Sequence, residues 1–166
     1  MKIINLSKKF FILIIYFLFF LNNYSYSLTL EKTSITLDNP WGMSWMDENN
    51  LLITQKSGEI FNVNTNDFIK TKIDHDIPFI QHGQGGLLDI TSEKNIVWVT
   101  GSIKKKGKYT TAIYRAEFKN DKLINEKLIY EAIPYFENGK HFGSRIEILD
   151  DYLFISIGER GKGMIA

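Results

Sequence analysis

Beyond residue 27 the chain is written in short apolar or alternating runs cut by turn residues. "MSWM" precedes "DENN", then "LLITQ", then "KSG", then "EIFNV". "LLDI" is followed by "TSEKN" and "IVWVTGS", and "GSIKKKGK" separates that run from "YTTAIYRAEF". "KNDK" leads into "LINEKLIYEAI", and "RIEIL" meets "YLFISIG" across "DD". The interruptions are Asn, Asp, Gly and Ser, whose backbones or side chains satisfy tight turns. Period-two alternation between such breaks predicts strands, and no window outside the N-terminus keeps a 3.6-residue apolar period over ten residues. The expected class is all-β.

The predicted strands fall into groups. Residues 41 to 64 give a three-strand meander, 87 to 131 one of four strands, and 144 to 157 the start of a third. The related runs that begin at Leu51, Ile96 and Leu153 lie 45 and 57 residues apart. A repeat of about 40 to 50 residues carrying about four strands is the spacing of propeller blades. A seven-strand β-sandwich is the alternative architecture.

The N-terminus follows a different rule. Lys2, Lys8 and Lys9 precede twelve apolar residues from Phe10 to Leu21, and Ser25 and Ser27 follow. A basic start, a short apolar run and small residues describe an export signal, expected over 1–27 with cleavage after Ser27. Twelve residues rise only about 18 Å as a helix, short of a ~30 Å hydrocarbon core. An uncleaved anchor, lengthened by Tyr24 and Tyr26, is the rival reading. The expected location is periplasmic or secreted, with residues 28–166 as the folded part. The whole chain has 20 basic and 19 acidic residues, and the signal takes three lysines with it. Near-neutral charge gives no electrostatic reason to expect nucleic acid. There is no cysteine, which excludes disulfides and thiolate chemistry.

Two stretches carry candidate chemistry. In "QHGQGGLLDI", Gly83, Gly85 and Gly86 surround Gln84. Glycines let backbone approach a ligand, and a carboxamide can hold a sugar hydroxyl. The lysine and the strand-to-helix context of a phosphate loop are missing. The other reading is a glycine-rich turn with Gln84 solvated. In "GKHFGSRIEI", the imidazole of His141 can take a proton from a hydroxyl, or it can be a turn residue bonded to backbone. His75, His82 and His141 match no compact zinc spacing. Asp89, Asp150 and Asp151 read as turn or strand-end acids, and Trp41, Trp45 and Trp98 are expected to pack between blades.

Taken in order, "NPWGMSWMDENNLLITQKSGEIFNV", "GQGGLLDI" and "HFGSRIEILDDYLFISIGERG" resemble the soluble pyrroloquinoline-quinone (PQQ)-dependent glucose/sorbosone dehydrogenases, also called aldose sugar dehydrogenases. The resemblance runs from about Asp38 to Gly161. It implies a six-bladed propeller in an exported enzyme that oxidises the anomeric hydroxyl of an aldose to a lactone. It places the catalytic base on His141 and a substrate-side glutamine on Gln84. Arg145 matches an arginine of the same motif, read as structural or cofactor-adjacent. An acid precedes the histidine in some members, where this chain has Lys140. The resemblance also implies PQQ and a calcium ion, with most of their binding positions in later blades.

Six blades of about 40 to 50 residues need roughly 240 to 300 residues. The 139 residues after the signal suffice for about three. The expectation is the N-terminal half of a sugar dehydrogenase propeller, truncated or split from a C-terminal half, and inactive alone. A non-catalytic propeller binding module is the alternative function. A calcium-dependent propeller lactonase is a third, requiring a central cluster of acids and Asn that the sequence does not display.

Overall fold

A computed structural model describes Phe10 and residues 27–163. The chain divides into two compact units, Met1–Lys32 and Thr33–Ala166. The signal segment expected over 1–27 lies outside the described residues, apart from Phe10 and Ser27. Among the described residues no helix is long and apolar enough to cross a membrane.

The second unit is all-β and antiparallel. β1 (Pro40–Trp45), β2 (Asn50–Gln55), β3 (Ile60–Asn64) and β4 (Lys70–Ile73) form one meander in that spatial order. β5 (Leu87–Glu93), β6 (Ile96–Lys105), β7 (Lys108–Lys119) and β8 (Lys122–Glu131) form a second. β9 (Gly143–Leu149) and β10 (Tyr152–Ile157) pair as a two-stranded sheet. The grouping read from the sequence is therefore present, with one strand added. β4 reads "KTKI" and buries only Ile73, so its alternation carries a single apolar signal. Its partner β3 supplies the rest through the Ile60–Ile73 and Val63–Lys70 register.

Two turns correct the predicted loops. "GSIKKKGK" is not a separating loop, because β6 runs on to Lys105 and β7 begins at Lys108. Lys106 and Gly107 both take positive φ, 50° and 82°, which is the backbone of a two-residue hairpin turn. Asn120 and Asp121 do the same between β7 and β8. A solvated lysine run is compatible with strand when its neighbours across the hairpin are also solvated.

The main core lies between the first two sheets. Leu52, Ile60 and Ile73 of the first pack with Leu87, Ile90, Val97, Val99, Ala116 and Leu123 of the second. Each is an inward position of an alternating strand, and burying a Leu or Ile side chain contributes about 1.5–3 kcal/mol. Trp41 and Trp45 depart from expectation. They are exposed on the face of β1 turned away from the second sheet, because Gly42 and Ser44 face that sheet instead.

A hydroxyl stitches each sheet to the next. Thr54 Oγ1 on β2 accepts the Gly42 N–H of β1 at 2.9 Å and donates to the Leu88 carbonyl of β5 at 2.6 Å. Thr100 Oγ1 on β6 accepts the Asp89 N–H of β5 at 3.2 Å and donates to the Ser144 carbonyl of β9 at 2.6 Å. Both threonines are fully buried. The first strands β1, β5 and β9 thus follow one another through the same latch.

Candidate functional site

The loop before β9 holds His141 in a backbone conformation that costs it energy. Its φ is 53°, a left-handed value that disfavours a side chain by about 1–2 kcal/mol. Three contacts fix it there. The His141 N–H donates to Gln84 Oε1 at 2.9 Å. The Arg160 N–H donates to the His141 carbonyl at 3.1 Å. Gly158 lies under that carbonyl, where a Cβ would collide with it. Non-glycine residues in such conformations persist where surrounding contacts over-determine them, which is common at functional sites.

The imidazole is oriented as well. His141 Nδ1 pairs with Glu159 Oε1. An ionised carboxylate only accepts, so Nδ1 carries the hydrogen and Nε2 of the neutral ring keeps its lone pair. Nε2 makes no hydrogen bond among the described residues, and about half of the side chain is exposed. The arrangement leaves Nε2 as the ring nitrogen that can accept a proton.

Glu159 is fixed in turn. Its Oε2 accepts the backbone N–H groups of Lys162 and of Gly163, the latter at 2.9 Å. The hydrogen bond from His141 is the largest influence on its carboxyl; desolvation opposes it, and the Gly163 and Lys162 amides add to it, so the carboxyl sits below the ordinary glutamate value. A lowered carboxylate pKa means the folded state binds the proton less well than the unfolded chain. The resulting stabilisation is full above the unfolded-chain pKa and is lost as pH falls through the folded value. Replacing Glu159 by Gln should therefore lower the melting temperature near pH 7, and the difference from wild type should vanish in acid. A difference that persists unchanged below the carboxylate range would show that the carboxylate's charge is not involved.

Gln84 reaches the same group of residues by a route the sequence did not show. Its backbone N–H donates to the Gly139 carbonyl at 2.7 Å, while its side-chain oxygen is occupied by His141. Gly83 takes φ 58° and packs where a Cβ would strike the Gly139 carbonyl, so the 82–86 turn and the 139–141 loop lie against each other. Lys56 Nζ ties down the Gly83 carbonyl at 2.7 Å. The Gln84 amide nitrogen makes no hydrogen bond among the described residues and remains a donor toward solvent.

Arg145 stands apart. Its Nη1 lies 3.2 Å from Asp89 Oδ1, and its backbone N–H donates to Ser156 Oγ at 2.9 Å. Asp89 is buried mid-strand, not at a strand end, and its other oxygen accepts the Ile146 N–H at 3.0 Å. Its carboxylate therefore joins β5 to β9, a role hidden in a run, "GGLLDI", that read as an apolar strand. His75 and His82 do other work. His75 Nε2 contacts the Gly58 carbonyl at 2.7 Å, and His82 stacks on Tyr109 with ring centroids 3.9 Å apart. Sequence reasoning missed Glu159 and Arg160, although "GERG" was in view. Arg160 is buried, donates from Nη1 to the Gly158 carbonyl, and lies over the Phe136 ring at 5.6 Å.

A cleft of about 550 Å³ opens at Lys108, Phe136, Asn138 and Lys162, beside this loop. A second, of about 570 Å³, lies at Lys72, Asp74, His75 and Lys122. It includes neither His141 nor Gln84, so size alone does not mark the chemistry here.

Comparison with known proteins agrees with the all-β fold. The profile described as "Glucose / Sorbosone dehydrogenase" matches residues 37–166. The chain belongs to the glucose/sorbosone dehydrogenase family. An uncharacterized protein of Synechocystis is 32% identical over an alignment of 140 positions that covers 76% of this chain and 34% of that one. The crystal structure of the soluble aldose sugar dehydrogenase of Escherichia coli, in its apo form, superposes with a TM-score of 0.69 at 28% identity. That match covers 76% of this chain and 39% of the other. The PQQ-bound aldose sugar dehydrogenase of Streptomyces coelicolor shares the fold at 23% identity and TM-score 0.67, over 80% of this chain and 41% of that one. The chain thus spans about two-fifths of these solved structures and a third of the Synechocystis relative.

Proposed function

We propose that this chain carries the proton-accepting, sugar-facing part of an aldose dehydrogenase, in which the anomeric hydroxyl of an aldose is oxidised to a lactone. The observation that carries the reading is the clamped histidine, with Nδ1 against Glu159, its N–H on Gln84 and Nε2 open. In this reading His141 Nε2 takes the hydroxyl proton, and the hydride from the anomeric carbon would go to a two-electron acceptor such as the quinone the family implies. The free amide of Gln84 donates to a sugar oxygen. The three sheets are the first three blades of a six-bladed propeller, exported to the periplasm or beyond on a signal at 1–27.

The hydride acceptor is another matter. The resemblance implies PQQ and calcium, but the residues present do not make a place for either. Among the described residues no three His, Asp or Glu side chains converge as metal ligands. Arg145, the one cofactor-side candidate, pairs with Asp89 through Nη1 at 3.2 Å. No step is derived through either group, and the chain alone with PQQ, calcium and glucose is expected to leave a dye acceptor unreduced. The decisive experiment grafts residues 37–163 onto the Escherichia coli aldose sugar dehydrogenase in place of its matching segment. Sugar-dependent dye reduction by the graft supports the reading. A folded graft without it, beside an active parent enzyme, overturns it.

A further inference from the structure

Lys56 stands one residue past the end of β2, and its backbone is fixed on both sides. Its N–H donates to the Asn39 carbonyl at 3.1 Å, and its carbonyl accepts the Leu87 N–H at 3.2 Å. Gly86 passes so close to that carbonyl that a Cβ there would collide with it. The side chain therefore leaves from a fixed point and runs beside the 82–86 turn. Its Nζ donates to the Gly83 carbonyl at 2.7 Å and lies 5.9 Å from the centre of the Trp41 ring. No carboxylate pairs with it among the described residues. A hydrogen bond from an ammonium to a carbonyl is charge-assisted and stronger than one between neutral groups.

The carbonyl that Lys56 holds belongs to the peptide unit that also holds the histidine's loop. The Gly83 carbonyl and the Gln84 N–H are two ends of one planar group. Lys56 takes the oxygen, and the N–H donates to the Gly139 carbonyl at 2.7 Å. The plane cannot turn without breaking both bonds. Its surroundings would otherwise let it turn, because Gly83 has no side chain, takes φ 58° and sits in a turn closed by the pairing of His82 with Gly85. Gln84 also reaches His141 directly, through the bond from the His141 N–H to Gln84 Oε1 at 2.9 Å. A line of contacts thus runs from the first sheet to the loop before β9, through Lys56, the 83–84 peptide, Gly139 and His141.

We propose that Lys56 is a positioning residue for the candidate base. Its ammonium acts through the 83–84 peptide, which keeps the 139–141 loop where His141 Nε2 is presented. Gln84 is held by the same bond, so its free amide and the imidazole keep one spacing. The proposal rests on the reading of His141 as the proton acceptor. It gives the first sheet a part in a site otherwise built from the turn before β5 and the segments around β9 and β10.

Lys56→Met keeps the stem and removes the ammonium. In the 37–163 graft it should lower kcat by about ten- to a hundredfold, the order that a displacement of about 1 Å costs a reacting group. Lys56→Arg keeps a charged donor and should restore most of the rate, which a role in packing alone would not require. In the His141→Asn background Lys56→Met should make no further difference, because nothing is left to position. An equal loss in both backgrounds overturns the proposal. Hydrogen exchange in the folded graft gives a readout that needs no turnover. The Gln84 and His141 N–H groups should exchange at least about tenfold faster in Lys56→Met. They should not do so in Lys72→Met, whose ammonium pairs with Glu59 at 3.0 Å on the surface. Unchanged exchange overturns the proposal, as does a kcat within about twofold of an active unmutated graft. An inactive unmutated graft overturns the catalytic reading instead, and exchange then decides whether Lys56 holds the loop.

Discussion

Replacing His141 in the grafted enzyme should cut kcat for aldose oxidation by about 10²–10⁴-fold, the usual contribution of a positioned general base. The choice of substitute separates chemistry from backbone. Alanine at φ 53° would add strain to the loss of the base, whereas asparagine tolerates the left-handed region. His141→Asn should keep the loop and still lose the rate, with KM changing far less than kcat. Glu159→Gln should cost less, because Nε2 remains and only its orientation and the preferred tautomer are disturbed. It should also move the acid limb of the rate profile, a change that a purely structural residue would not cause. If His141→Asn stays within tenfold of the unmutated graft, Nε2 is not the proton acceptor.

The sequence made the strands legible because their alternation is strong where both neighbours are apolar. β6 and β10 were visible in "IVWVTG" and "LFISIG", and the family resemblance followed from their order. β4 was not, since a strand whose outward residues are lysines looks like a loop until Ile60 and Val63 are placed beside it. The Lys106–Gly107 turn failed for a related reason. A charge run suggests solvent, and solvent exposure does not distinguish a loop from a hairpin tip.

The site was legible only in part. The resemblance supplied His141 and Gln84 as names, and the structure places them in direct contact through the His141 backbone. That contact changes what Gln84 can do, since its oxygen holds the histidine's loop and only its amide is left for a ligand. Glu159 was not found because it lies 18 residues away and reaches His141 only after β9 and β10 fold back as a hairpin. Asp89 reads as a turn or strand-end acid because a lone carboxylate in an apolar strand gives no periodic signal. Its partners, the Ile146 amide and the Arg145 guanidinium, are 57 and 56 residues on.

Thr54→Val should destabilise the folded chain by about 2–6 kcal/mol, from two buried backbone groups left unpaired at about 1–3 kcal/mol each. Valine has nearly the shape of threonine, so packing around Leu52 and Ile90 is kept and only the hydroxyl is lost. The Gly42 N–H and the Leu88 carbonyl then face each other across the first two sheets with nothing between them. Thr54→Ser keeps the hydroxyl and gives up one methyl, so its cost should be about 1 kcal/mol. Thr65 is the control. Its hydroxyl donates to the Asn49 carbonyl at 3.2 Å on the exposed surface, where water replaces the bond, and Thr65→Val should change stability by no more than about 0.5 kcal/mol. Urea midpoints with unchanged slopes would read all three. Equal midpoints for Thr54→Val and Thr65→Val would mean that the stitch contributes nothing. The first two sheets would then be held by the buried core around Leu52 and Ile90.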